Sequence, residues 1–525
     1  MTPPSRRGRG EAGLVAAGIF VSRLAGLVRQ RVLAHFLGLS DAADAFSQAF
    51  RIPNILQNLL GEGALSASFI PVYARLLAEG RREEARRVAG GVAALLGVVV
   101  AVLVAIGVTI APLLVDVFAP GWDEPKRALT RKLVRILFPG TGLLVWSAWC
   151  LGILNSHRRF LLSYAAPVVW NAAIIAATLL APAGAPAESI VVWTAWGAVA
   201  GGLLQLLVQL PAARAAAGGV LTRPSRSDPG IRSVLSGLGP ALLSRGVVQV
   251  SAYVDAVLVS FLGTSAAAGL ASAQLLYTLP VSLFGVSVAA AELPSLAAEA
   301  GSTGAGPAAL RERLERGLVQ IAYFVIPSAV ASLALGHVIA GAVFETGAFT
   351  RADSRYVWGI LAGSAVGLLA GTSARLCSSA WFALHDTRTP FRYASARVGT
   401  TILLGSLGAL VVPGLLGLDP RWGAVGITLA GAIAATIEFF LLRRGLDRRL
   451  GAARLPAGLA VRLWGAAIAG AAAGWGALLL TRGRLGPVLT ALLVLAPFGL
   501  VYLGLTWWLR VPFARELFAR LRTAR

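Results

Sequence analysis

The stretch "GLVAAGIFVSRLAGLVRQRVLAHFLG", Gly13–Gly38, has the length and apolar content of a membrane-spanning helix, yet it holds Arg23, Arg29 and Arg31. A span needs about 20 mostly apolar residues, and an arginine at its centre costs roughly 2.5–3.5 kcal/mol to insert. Such a charge persists where it faces a wet cavity, pairs with an acid, or snorkels to the interface. Arg23 lies near the middle of the stretch, too deep to snorkel easily, and Arg29 about two-thirds along it. At about 100° per residue the two project about 120° apart, so both can border one broad cavity. Arg31 points roughly opposite Arg29, nearer the outer end.

The rest of the chain places this stretch in a polytopic membrane protein. Of 525 residues, 57% are hydrophobic and 14% charged, and the mean hydropathy is +0.74, whereas a soluble domain is about 25% charged. The basic start "MTPPSRRGRGEAG" does not read as a cleaved signal peptide, because arginines interrupt the apolar run and no small-residue cleavage site follows. The net charge of +23 is expected in loops that hold topology against an anionic inner leaflet, not in a nucleic-acid surface. Cys150 and Cys377 both lie in apolar segments, so neither a disulfide framework nor a metal pattern is expected. The four histidines (His35, His157, His337, His385) lack ligand spacing and read as structural. No Walker A sequence, metal-binding His pair, G-x-S-x-G or acid-rich prenyl-phosphate loop occurs. The chain is therefore expected not to be an enzyme and to carry no resident cofactor, with a coupling cation left open.

Fourteen spans can be drawn, at approximately 12–37, 45–74, 89–119, 130–154, 159–182, 188–213, 232–263, 267–298, 314–344, 354–384, 391–414, 422–442, 459–480 and 486–509. With both termini cytoplasmic, the inner loops include "RLLAEGRREEARR", "NSHRRF", "TRPSRSDPGIR", "HDTRTPFR" and "LRRGLDRRLGAARL". They and the tail hold about 30 basic residues, against about nine in the outer loops, as the positive-inside rule requires. The outer loop "APGWDEPKRALTRK" is the exception, and its acids partly offset it.

The chain repeats itself. "SRLAGLVRQRVLAHFLGLSDAADAF" from Ser22 is echoed by "SRGVVQVSAYVDAVLVSFLGTSAAAGLA" from Ser244. Proline-containing spans follow, "RIPNILQNLL" with Pro53 and "LYTLPVSLFG" with Pro280. "WCLGILNSHRRF" from Trp149 is echoed by "WFALHDTRTPFR" from Trp381. The expected organisation is a cytoplasmic tail (1–11), an N-lobe of spans 1–6 (12–213) and a linker (214–231). A C-lobe of spans 7–12 (232–442), a cytoplasmic loop (443–458), spans 13–14 (459–509) and a basic tail (510–525) complete it. Two even-numbered lobes enter the membrane from the same side, the parallel-repeat plan of transporters.

Two readings compete for Arg23 and Arg29. In one they pair with Glu62 on span 2 or Asp44 at its mouth; in the other they are anion ligands, since guanidinium matches phosphate oxygens with a fork of donors. Gly61 and Gly63 permit close helix approach beside Glu62. The other intramembrane charges are Arg245, Asp255, Glu292, Arg375, Arg397 and Glu438. Arg245 repeats the position of Arg23, and Asp255 or Glu292 is a candidate to pair with it or to bind a coupling cation. Pro53 and Pro280 are expected to interrupt their helices and free backbone carbonyls, as suits moving gates.

The segments "SRLAGLVRQRVLAHFLG", "DAADAFSQAFRIPN", "GEGALSASFIPVYA", "FAPGW" and "FALHDTRTPFR" resemble the signatures of the MurJ/MviN lipid II flippases, within the multidrug/oligosaccharidyl-lipid/polysaccharide exporter superfamily. The resemblance covers spans 1–12 in order and is densest from Ser22 to Tyr73. It implies two six-helix lobes around a basic cavity, and a groove made with helices 13 and 14 for an undecaprenyl tail. The implied activity moves lipid-linked disaccharide-pentapeptide to the outer leaflet of the bacterial cytoplasmic membrane. Its implied partners are lipid II or a similar polyprenyl-pyrophosphate glycan and membrane lipids, with the chain acting as a monomer. Arg23, Arg29 and Arg375 match basic positions of the family, and Asp44 and Glu62 match its acids. Gln30, Gln57 and Leu275 depart from the pattern, standing respectively where an acid and two arginines are usual. These departures keep alive a flippase for another polyprenyl-linked glycan, of exopolysaccharide or O-antigen type. A cation-coupled drug exporter would want acids dominating the cavity, and the first lobe shows the reverse.

Overall fold

The computed structural model describes residues 6–219, 228–286, 288, 307–451, 456–481 and 485–514. Among them there is no β-strand; the elements are helices, and the chain divides into two compact units. The first comprises Met1–Ala267 with Thr346–Ala348, the second Ala268–Glu345 with Phe349–Arg525.

In the first unit, α1 (Arg6–Leu37) is followed by a rod made of α2 (Asp41–Leu56), a π-helix (Gln57–Phe69) and α3 (Ile70–Ala78). Then come α4 (Arg82–Thr109), α5 (Ala111–Phe118), α6 (Glu124–Ser156), α7 (Phe160–Leu179), α8 (Ala187–Ala217) and α9 (Pro229–Ser260). Ser40 starts α2 by accepting the Ala43 N–H at 3.3 Å, the side-chain cap that an orphaned helix N-terminus calls for. In the second unit α10 (Ala266–Pro280) begins at the boundary and passes into a π-helix (Val281–Val286). It is followed by α11 (Pro307–Phe344), α12 (Arg351–Ala365), α13 (Leu368–Ala383), α14 (Arg388–Leu410), α15 (Val412–Leu415), α16 (Gly423–Leu450), α17 (Ala457–Leu480) and α18 (Pro487–Trp508). Ten described helices are long and apolar enough to cross a membrane, eleven if α12 and α13, bent by 43°, count as one span. The bend falls at Gly367, where a Cβ would sit 2.5 Å from the Cα of Ala432, so the small residue allows close approach to α16 and relieves the helix there. The α1, α2–α3 and α9 rods lie outside the ten, and they hold most of the charges singled out above.

The two prolines do not break their helices. Pro53 lies inside α2 and Pro280 ends α10, and each run continues with a π-helix, from Gln57 and from Val281. Proline removes one N–H and its ring crowds the carbonyl one turn back. The first run answers with wider spacing, and the Ile70 N–H reaches the Leu65 carbonyl five residues back. The event recurs at corresponding places in both repeats.

The tryptophan echo has a shared structural meaning. Trp149 is fully buried and its Nε1 donates to the Ala89 carbonyl on α4 at 3.2 Å; Trp381 donates likewise to Leu442 on α16 at 3.2 Å. Both helices then stop in the same way. Arg158 (φ 58°) and His385 (φ 59°) take the left-handed conformation, and the next N–H, of Arg159 or Asp386, reaches back to Leu154 at 2.8 Å or Trp381 at 3.0 Å. This Schellman closure usually employs glycine, and a side chain there costs about 1 kcal/mol. Arg158→Gly and His385→Gly should therefore each stabilise the folded protein by about 1 kcal/mol, and the gains should add because the sites lie in different units. Thermal unfolding of the single and double variants in detergent checks this, and a loss of stability would refute it.

Candidate functional site

The charged residues of each unit fall into local clusters. In the first unit α1 packs on α7, and the Arg29 guanidinium carbon lies 5.1 Å from the centroid of the Trp170 ring. Phe50 of α2 meets the same indole at 5.7 Å. Phe50, Asn54, Gln57 and Trp170 border a cavity of about 20 Å³, room for about one water. The Nε of Arg29 is buried and has no hydrogen-bond partner among the described residues. An arginine held by its π face keeps its edge donors for an anion. Arg23 stands exposed on the same helix, while Arg31 is half-buried and engaged in an interaction of its own.

A second cluster lies between α2 and α9. Arg51 interacts electrostatically with Asp255 and Tyr253, and Tyr253 packs on Phe118 at 5.1 Å. Three positions before Arg51, Gln48 is buried and its Nε2 donates to the carbonyls of Phe118 at 2.6 Å and Ala256 at 3.3 Å. Asp255 thus meets a charge on α2, which sequence analysis had not singled out. The side chains of Glu62 and Arg245, and all of Glu292, lie outside the described residues.

Asp44 has a different neighbourhood from the arginines. It is fully buried, and Lys126 Nζ lies 2.7 Å from Asp44 Oδ2 and 2.7 Å from Asp41 Oδ1. The backbone N–H of Ser265 donates to Asp44 at 2.9 Å and the Thr264 hydroxyl to Asp41 at 2.9 Å. Lys126 also lies over the Trp122 ring at 4.5 Å, and Trp122 is the last residue of the "FAPGW" signature. Both lysines of the chain, Lys126 and Lys132, stand in the outer loop that breaks the charge asymmetry; that oddity was the available signal for this cluster. The hydrogen bonds from Lys126 and Thr264 outweigh the upward push of partial burial and hold the Asp41 carboxyl below its ordinary range.

In the second unit, Arg375 is exposed on α13. Tyr277, one helical turn before Pro280, feels the charges of both Arg397 and Arg375. Glu438 on α16 is buried and binds Arg397 at 3.1 Å, so Arg397 is neutralised and Arg375 is the more available cation of this group. Tyr277, like Trp170, carried no charge signal in the sequence.

These geometries sit in a chain with many relatives. The sequence model of the family described as Lipid II flippase MurJ matches residues 33–495. The probable lipid II flippase MurJ of Haemophilus influenzae is 30% identical over 446 residues, covering 82% of this chain and 84% of its own. The lipid II flippase MurJ of Burkholderia cenocepacia is 30% identical over 445 residues, covering 83% of each. Among solved structures, a lipid II flippase MurJ in an inward closed conformation aligns with a TM-score of 0.76 at 24% identity, over 96% of this chain and 99% of that one. An inward-facing multidrug resistance transporter of the MATE family aligns with a TM-score of 0.64 at 16% identity, over 81% and 95%. The latter two likenesses concern the fold.

Removing one partner of a buried ion pair leaves the other charge uncompensated, at a cost of about 3–5 kcal/mol. Lys126→Ala should destabilise the protein by about that much, because it takes the lysine from the fully buried Asp44. Asp44→Ala should cost less because Asp41 still pairs with Lys126, and the double change should cost clearly less than the two single changes together. Chemical unfolding in detergent measures the cycle; strict additivity would show that the two charges do not support each other.

Proposed function

This chain belongs to the lipid II flippase MurJ family, and from that membership we propose that it carries lipid II from the cytoplasmic to the outer leaflet by alternating access. The observation that carries the reading is the family match over residues 33–495, joined to arginines placed inside otherwise apolar helices. On this reading the protein is a multi-pass transporter of the bacterial cytoplasmic membrane, serving peptidoglycan synthesis without covalent chemistry.

Arg23, Arg29, Arg245 and Arg375 are the proposed ligands of the pyrophosphate. Trp170 orients Arg29 through its ring face, leaving the guanidinium edge for phosphate oxygens. Asp255 holds Arg51 while the site is empty, and Glu62 acts with it as a gating acid. Asp44, bonded to Lys126, serves the mouth of span 2 and not the substrate. A dianionic ligand shifts the conformational balance only by binding one state better than the other, so the arginines must approach it unequally in the two states. The proposed topology has fourteen spans, with α1, the α2–α3 rod and α9 added to the eleven, and both termini in the cytoplasm. α17 and α18 offer their apolar faces to the polyprenyl tail, and the transporter works as a monomer.

The decisive test is complementation of cells depleted of their own lipid II flippase, scored by lipid II reaching the outer leaflet. The wild-type chain should restore it, Arg23→Ala and Arg29→Ala should abolish it, and Arg31→Ala should retain it. Failure of the well-expressed wild type would favour a flippase for another polyprenyl-linked glycan, the reading suggested by Gln30, Gln57 and Leu275. If Arg245→Ala leaves transport intact while Arg23→Ala abolishes it, Arg245 drops out of the set. Topology is checked separately. Both native cysteines are buried, so a membrane-impermeant maleimide should label Ala185→Cys in intact cells and label Glu83→Cys only after lysis. The reverse pattern would overturn the orientation.

A further inference from the structure

A cavity of about 220 Å³ lies within the second unit, at the end of α11, the start of α12 and the turn that joins α17 to α18. One wall is polar. Arg351 and Arg355 project from α12, and His337 comes from α11. The His337 ring packs against Trp358 at 5.2 Å and Trp475 at 6.0 Å, and its Nδ1 is buried without a hydrogen-bond partner among the described residues. The α17–α18 side is largely apolar, with Leu478, Leu485 and Pro487 beside Thr481 and Thr490.

Its charges do not cancel. Arg351 lies 3.7 Å from Glu345, whose other carboxylate oxygen accepts from Ser354 at 3.3 Å. Asp353 is committed to Thr350 in a capping box. Arg355 has no ion pair among the described residues, so the cavity keeps one positive charge. An orphaned imidazole nitrogen beside that charge supplies a second donor in its Nδ1–H tautomer. Leu480 is 83% exposed, and Val488 and Leu489 are about half exposed, at the same end of α17 and α18. A cationic pocket with one largely apolar side, bordered by bare hydrocarbon, suits an anion that is itself attached to hydrocarbon.

We propose that this cavity binds the phosphate of an anionic glycerophospholipid, with Arg355 and His337 on the phosphate oxygens and the acyl chains along α17 and α18. In the topology proposed above the lipid is drawn from the outer leaflet. The chemistry is shared with free phosphate, but only a lipid uses the largely apolar side. The site is separate from the arginines assigned to the transported pyrophosphate. It marks a place where bilayer composition acts on the protein.

The purified full-length chain is equilibrated with equal amounts of phosphatidylglycerol and phosphatidylcholine and read by native mass spectrometry. Wild type should retain phosphatidylglycerol preferentially, and Arg355→Ala should lower that retention about ten-fold, the worth of one charge-assisted hydrogen bond. Arg351→Ala should lower it less, because Glu345 already occupies that charge, and Arg355→Lys should restore part of it. Because Arg355 is exposed, these variants are expected to fold, and size-exclusion profiles verify that they do. Equal retention of the two lipids by wild type, or undiminished phosphatidylglycerol on Arg355→Ala, would overturn the proposal. Stabilisation of wild type but not Arg355→Ala by inorganic phosphate, with no lipid selectivity, would give the cavity to free phosphate and overturn the lipid. Binding is read on purified protein, so a failure of complementation leaves this result standing, and the maleimide pattern alone decides the leaflet.

Discussion

An ionised side chain inside a bilayer has to bring its own substitute for water. That requirement organises the charged residues of this protein. The cost of an unpaired charge in low dielectric is several kcal/mol, more than one helix–helix contact returns. Each cluster meets it with different chemistry. Asp44 meets a lysine and a backbone N–H, Arg397 meets a carboxylate, and Arg29 meets the face of an indole. Only the last leaves the cation's hydrogen-bond donors uncommitted by a counter-charge. On the transport function proposed for the chain, a site that receives an anion and later releases it needs that kind of support, because a full ion pair would compete with the substrate.

The helical architecture was legible because membrane spans leave a long, uninterrupted signal and because loop charge reports topology independently of it. The repeats were legible for a similar reason: Trp149 and Trp381 recur with their flanks, and the indole-to-carbonyl bond and left-handed helix stop recur with them. The partners of the charges were harder to read. Lys126 lies 82 positions from Asp44, and no periodicity links residues on different helices. Arg51 resembles an ordinary flanking residue in "FRIPN" until α9 brings Asp255 near it. Trp170 is one apolar residue among many in α7, and nothing in its spacing shows that it supports Arg29. The proline positions were readable, but whether a proline interrupts a helix or widens it depends on how neighbouring helices hold both sides.

Sequence kinship and packing divide the chain differently. The segment from Ser244 repeats the one from Ser22, yet α9, which holds its first part as far as Ser260, belongs by its contacts to the first unit. Duplication conserves the local plan of a helix pair, whereas compactness depends on which apolar faces meet. The Arg51–Asp255 pair and the Gln48 bonds show the polar side of that attachment. A helix that descends from one half and packs with the other ties the two ancestries together through side chains that neither repeat would need alone.

The π-helices after Pro53 and Pro280 give the backbone a further property. A π turn contains one more residue than an α turn of similar height. Returning one such turn to α geometry would swing every later side chain on that rod by about 100° around the axis, with about 1.5 Å of slide. The two rods therefore carry, just beyond a proline, a stored screw motion that needs no hinge and breaks no span. The part of the rod before Gln57 would keep its place while the part beyond it, through α3, turned as one piece.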